Sequence, residues 1–136
     1  MNKISVYRKE HFNAAHQLYN KDWDIDTNRK FFGKCANENY HGHNYELVIK
    51  VTGTIDEQTG FVIDVKELSE LAREHVIKKF DHKNLNLDTK EFENLNPTAE
   101  NIAVVIYNLL RPHIKAEQDL RITLFETDRN YVKYPA

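Results

Sequence analysis

His41, His43, Tyr45, Leu47, Ile49 and Val51 occupy one parity of a single alternating run. Period two is the signature of a half-buried strand, so residues 43–53 are predicted to form one, with Glu46, Val48 and Lys50 on its other face. The apolar side has to be covered, yet two imidazoles stand at its head. Histidines at i and i+2 of an extended chain project from the same side with Cα atoms about 6.5–7 Å apart. That is close enough to converge on one ion, and Gly42 between them leaves the backbone room to bend.

The opening segment alternates as well, with Ile4, Val6 and Phe12 on the even face, which continues through Ala14 to His16. Between Gln17 and Tyr40 the period is lost. A polar stretch of that length exceeds the usual connection and marks a functional or mobile loop. Thr54 to Gly60 reads as a turn, and Phe61 to Ile63 as the returning strand of a hairpin. Asp64 and Glu67 have the capping-box spacing that opens a helix burying Leu68, Leu71, Val76 or Ile77, and Phe80. Asn96-Pro97-Thr98 announces a second helix, with Ile102, Val105, Ile106, Leu109 and Leu110 inward until Pro112 ends it. Leu120, Ile122 and Leu124 alternate again, and Tyr131 to Tyr134 adds a short strand. The expected fold is a single α+β domain over residues 1–136, a mostly antiparallel sheet with two helices packed on one face.

Composition narrows the function. The 136 residues are about one domain's worth. Nineteen basic and 21 acidic side chains give a net charge of -2, which argues against nucleic acid as a partner. A single cysteine, Cys35, cannot form an intramolecular disulfide and fits a reducing compartment, so a cytoplasmic location is expected. The first residues lack the apolar core of a secretion signal. The most apolar run, Ile102 to Leu110, falls short of the ~20 residues that span a bilayer, so no membrane partner is expected.

Several residues sit where their chemistry is out of place. His16 ends the even face of the first strand, and with His41 and His43 it completes a set of three imidazoles, the pattern of a catalytic zinc site with an open position. Each histidine taken alone also reads as a hydrogen-bonded core residue. His11, His75 and His113 fall at polar positions and read as solvated. Cys35, six residues before His41, could be a nucleophile, a base or a fourth ligand that closes the site. Asp81-His82 is an acid–imidazole dyad by adjacency, or a histidine favoured by a helix C-terminus. Glu126 shares a face with Leu120, Ile122 and Leu124. A carboxylate there is costly unless it meets a metal, a cation or a hydrogen-bonding ligand, or unless the strand has already reached solvent.

Phe12-x-Ala14-Ala15-His16, Cys35 separated by five residues from His41-Gly42-His43-Asn44-Tyr45, Thr59-Gly60, Asp81-His82-Lys83-Asn84-Leu85-Asn86, Pro97-Thr98-x-Glu100-Asn101 and Glu126-Thr127, in this order, resemble the 6-pyruvoyl tetrahydropterin synthase family over nearly the whole chain. The resemblance implies a tunnelling fold (T-fold), in which the sheets of three subunits form a barrel and two trimers stack as a homohexamer with active sites between subunits. It implies Zn2+ held by His16, His41 and His43. It implies 7,8-dihydroneopterin triphosphate as substrate, its pterin ring gripped by Glu126 with help from the segment around Thr98. Cys35 matches the family's proton acceptor, and Asp81, His82 and Glu126 match groups that relay or orient protons.

The family's branches differ in product. One forms 6-pyruvoyl tetrahydropterin, towards biopterin; another forms 6-carboxytetrahydropterin and acetaldehyde, towards queuosine; a third serves folate synthesis. In the carboxy-forming branch the cysteine typically precedes His-Gly-His by three residues, and in the folate-linked branch a glutamate replaces it. Cys35 with its gap of five, and Asp81-His82-Lys83-Asn84-Leu85, match the pyruvoyl branch. A reading of another class is a non-catalytic zinc scaffold in which Cys35 completes a closed site.

Overall fold

The computed structural model describes residues 2–136. Its centre is a pair of long antiparallel strands, β1 (Lys3–His16) and β2 (His41–Thr54), in unbroken register from Lys3 opposite Thr54 to His16 opposite His41. β3 (Lys83–Asn84) adds two residues parallel to the end of β1, while β4 (Asp119–Phe125) and β5 (Tyr131–Tyr134) extend the sheet antiparallel beyond β2. The strand order is β3-β1-β2-β4-β5.

The inward face carries Phe12 and Ala14 of β1, Tyr45, Leu47, Ile49 and Val51 of β2, and Leu120, Ile122 and Leu124 of β4. Two helical stretches cover it. The first is α2 (Val65–Ala72), which continues through a π turn at Arg73–Ile77 to a last turn at Lys78–Phe80. It buries Leu68, Ala72, Val76 and Phe80 at a spacing of four, so Val76 rather than Ile77 faces the sheet. The second buries Ile102, Ala103, Ile106 and Leu110 along Ala99–Leu110 and stops as expected before a 3-10 turn containing Pro112. It is α4, following the short α3 (Leu85–Asp88). Arg8 and Glu10 interrupt the even face of β1 without leaving a bare charge. Glu10 Oε1 accepts from Arg8 at 3.1 Å and from the Ser69 hydroxyl of α2 at 3.0 Å.

Three expectations change. Phe61–Ile63 is not a strand: the loop closes on itself, with Asp56 Oδ1 accepting from the amides of Gln58 and Thr59, and β4 takes the place beside β2. The stretch before β2 is not irregular throughout, because α1 (Ile25–Phe32) and a 3-10 turn at Gly33–Ala36 lie within it. Asp24 caps α1 by accepting from the Thr27 amide at 2.7 Å. Asn28, buried, donates to the carbonyls of Asn20 and Asp24 at 3.0 Å each. His75 and His113 are not separately solvated; their rings stack with centroids 3.8 Å apart.

Candidate active site

The register of β1 and β2 places His16 directly opposite His41, with His43 two residues further along opposite Ala14. The three rings gather at the end of the inward face, with centroids 4.5 to 5.1 Å apart. His16 is fully buried. Its Nδ1 lies 2.8 Å from the Pro97 carbonyl oxygen. A carbonyl only accepts, so the proton sits on Nδ1 and the Nε2 lone pair turns toward the other two rings, an arrangement common behind metal-bound histidines. Burial, reinforced by the two neighbouring imidazoles, lowers the His16 pKa from 6.5 to about 4. His41 is lowered as well, mainly by burial and then by His43.

One nitrogen from each ring lies within 4.8 Å of the others. Nδ1 of His41 and Nε2 of His43 are buried with no hydrogen-bond partner, which is costly unless something else binds them. Imidazole nitrogens without partners, packed this closely, fit a metal ion, and nitrogen donors suit zinc among others. Gly42 does not bend the strand here; it pairs in register with Ala15.

Glu126 stands one residue beyond β4, its amide held by the Asn130 carbonyl at 3.0 Å. The strand has not escaped to solvent at this point: the side chain is half-buried and Oε1 lies 3.9 Å from His43 Nε2. Cys35 lies in the 3-10 turn, whose carbonyl at Cys35 accepts from the Leu18 amide at 2.7 Å, tying it to the end of β1. Its thiol is pushed up from the ordinary value by burial and then by the Glu126 carboxylate. The Glu126 carboxylate therefore acts on both the Cys35 thiol and the His41 imidazole.

Asp81 and His82 form the contact that their adjacency suggested, Oδ2 to Nδ1 at 3.0 Å. Asp81 Oδ1 also accepts from the Asn13 amide at 2.9 Å, and that bond is the main reason its carboxyl titrates below the usual range. His82 adopts φ 59°, is largely exposed, and lines an open cleft of about 520 Å³ with His43, Asn13 and Gly42. Thr98 caps α4, its hydroxyl accepting from the Asn101 amide at 3.2 Å. It thereby fixes the turn whose preceding carbonyl, that of Pro97, orients His16.

Two contributors were not anticipated. The Pro97 carbonyl is backbone and carries no side-chain signal. Tyr45 was legible, two residues beyond His43 on the same parity; its hydroxyl lies 3.4 Å from His16 Nδ1, and its ring stacks on Phe12 at 4.9 Å. Burial pushes its hydroxyl pKa far upward.

Fold and site thus define an α+β domain with three converging histidines able to hold a metal ion, and with a carboxylate next to them that also acts on a thiol. The chain belongs to the 6-pyruvoyl tetrahydropterin synthase family, whose sequence profile matches residues 5–136. It is 40% identical over 132 residues to the 6-pyruvoyl tetrahydrobiopterin synthase of Homo sapiens, covering 97% of this chain and 91% of that one. The solved Caenorhabditis elegans 6-pyruvoyl tetrahydropterin synthase superimposes with a TM-score of 0.93 at 31% identity, covering 100% of this chain and 97% of its own. A 6-carboxy-5,6,7,8-tetrahydropterin synthase of Rickettsia typhi is more distant, 32% identical with 81% of this chain and 94% of its own covered. Among the described residues no helix is long and apolar enough to cross a membrane.

Proposed function

We propose that this protein is a zinc-dependent lyase that converts 7,8-dihydroneopterin triphosphate to 6-pyruvoyl tetrahydropterin with loss of triphosphate. The observation that carries the reading is the convergence of His16, His41 and His43, with two orphaned ring nitrogens, beside Cys35 and Glu126. Bound zinc would supply a Lewis acid for the substrate's side-chain hydroxyls and a positive charge that favours a neighbouring thiolate.

The chain's own groups divide the remaining work. Cys35 accepts the proton from the substrate side chain; burial and Glu126 disfavour its thiolate, so it depends on that added positive charge. Glu126, half-buried beside His43, holds the pterin ring through its N–H edge and fixes which side-chain carbon faces Cys35. The segment around Thr98 completes the ring's seat. Asp81 orients His82 through Nδ1, leaving the other ring nitrogen to return protons. Loss of the C2′ proton and of triphosphate from C3′ leaves an enol that becomes the C2′ ketone and a C3′ methyl, while the two hydrogens of the C1′ carbinol pass to the dihydro ring as C1′ becomes a ketone, so no external oxidant is needed.

The exposure of His82 supports a site completed between subunits of a homohexamer built as two trimers. A free Cys35 supports a cytoplasmic setting. Five residues between Cys35 and His41, and the greater similarity to the pyruvoyl-forming relative, favour that product over 6-carboxytetrahydropterin. Zinc-loaded protein incubated anaerobically with 7,8-dihydroneopterin triphosphate tests the reading, with the pterin identified by mass spectrometry. The 6-pyruvoyl product is expected; 6-carboxytetrahydropterin with acetaldehyde would move the protein to the queuosine branch, and unaltered substrate would leave a zinc scaffold.

A further inference from the structure

The sheet face turned away from the helices carries its side chains in cross-strand rows. Ser5, Thr52 and Asp119 form one row; Tyr7, Lys50 and Arg121 form the next. Lys50 and Arg121 therefore stand directly opposite each other on β2 and β4, a like-charge pairing that destabilises an antiparallel sheet. Both are half-buried. Among the described residues no ion pair offsets either one. The Lys50 ammonium has only the Tyr7 ring, 5.9 Å from its centroid.

The two cations border a cavity of about 450 Å³ that Ser5, Thr52, Arg111 and Asp119 also line. Arg111 is held rigid there by the carbonyls of Gln118 at 2.8 Å and Lys115 at 2.9 Å, with its charge intact. Ser5 Oγ and Thr52 Oγ1 lie 2.8 Å apart, so one hydroxyl donates to the other and the second keeps a proton to offer. Asp119 is the one carboxylate of the lining, and it is exposed at the rim. Three cations against one acid, with a spare hydroxyl donor, make a built receptor for an anion bearing several oxygens. The cavity is remote from the histidines: Lys50 lies seven residues along β2 from His43, roughly 24 Å at about 3.4 Å per residue, and on the opposite face.

We propose that this cavity is a second ligand site, specific for a condensed phosphate chain, with Lys50 and Arg121 clamping the phosphates and the Ser5–Thr52 pair donating to a terminal oxygen. The bound anion relieves the cross-strand repulsion that the empty sheet tolerates. The proposal is independent of the catalytic reading.

Inorganic triphosphate titrated calorimetrically into the zinc-loaded protein at low ionic strength tests it. Lys50→Gln and Arg121→Gln should each weaken one site at least about tenfold, the loss of a charged hydrogen-bond partner, and K50Q/R121Q should abolish it. Lys9→Gln/Lys133→Gln removes the same net charge from the neighbouring row of the same face and should leave the site intact. Without anion, Arg121→Gln should melt no lower than wild type, which separates lost binding from lost folding. Adenosine triphosphate will displace the inorganic anion if the cavity takes a chain carried on a nucleoside; failure to displace assigns the site to the free anion. Superimposable isotherms for wild type and K50Q/R121Q, or equal weakening by K9Q/K133Q, would overturn the site.

Discussion

The His16 ring and the Pro97 carbonyl, 81 residues apart in the chain, meet in a buried 2.8 Å hydrogen bond. It joins the last residue of β1 to the residue just ahead of the α4 cap, so the start of that helix and the three-histidine cluster form one unit. Groups behind a metal-bound histidine fix its tautomer and aim, and their loss typically lowers metal affinity about 10–100-fold.

Thr98→Val tests that coupling. The substitution keeps the shape but removes the oxygen that accepts from Asn101. Loss of an N-cap costs about 1 kcal/mol, here a fall of about 3 °C in Tm. With the turn loosened, zinc affinity measured against a chromophoric chelator should fall by about tenfold, while Thr98→Ser keeps both. Unchanged zinc affinity in a variant that has lost the cap would separate the helix start from the centre.

Acid sensitivity of the metal-free protein follows from His16. Unfolded, the imidazole titrates near 6.5; folded, burial holds it at about 4. Between those values the unfolded chain binds more protons, so stability is complete above about pH 6.5 and declines as pH falls toward 4. The full loss is about 3 kcal/mol, at 1.36 kcal/mol per unit. Urea midpoints of chelator-treated protein between pH 7.5 and 4.5 should trace it, and His16→Asn should flatten the curve.

His82 separates stability from function. Its φ of 59° is uncomfortable for a side chain with a Cβ and natural for glycine. His82→Gly should leave stability within about 1 kcal/mol, because relief of the backbone offsets the greater freedom of the unfolded chain. His82→Val, branched at Cβ, should destabilise clearly. Turnover should fall at least about 100-fold in both, the usual scale of general acid–base catalysis. If His82→Gly retained full turnover, the relay role would be wrong.

What the amino-acid sequence discloses here is whatever buries a face or misplaces a charge. Tyr45 to Val51 and Ile102 to Leu110 advertise strand and helix because each packs one side against the other. His16, His41, His43 and Glu126 were legible for the opposite reason, as polar groups on apolar parities. α1 was hidden because Ile25 and Phe31 are exposed and the turn is held by Asp24 and the Asn28 amide, bonds without periodicity. Phe61–Ile63 misled because an apolar triplet after a turn looks like a hairpin arm, whereas the Asp56 carboxylate satisfies the loop locally. The Pro97 carbonyl and the Lys50–Arg121 pairing depend on long-range register, which no local pattern carries.

Glu126 acts on the Cys35 thiol, and the coupling has a sign. In the metal-free protein burial and the Glu126 charge both raise the thiol's pKa. Removing that charge with Glu126→Gln should lower the pKa, because one of the two causes disappears while burial remains. Loading zinc into the wild type should also lower it, since a nearby cation favours thiolate. The pH dependence of iodoacetamide alkylation reads the thiolate directly: the inflection of metal-free wild type should lie highest, with E126Q and zinc-loaded protein below it. A closed site with sulfur bound to the metal predicts a different result, protection from alkylation on zinc loading and a zinc–sulfur distance of about 2.3 Å. Faster alkylation on loading supports the thiol as the proton acceptor, and protection converts Cys35 into a ligand and the centre into a structural one.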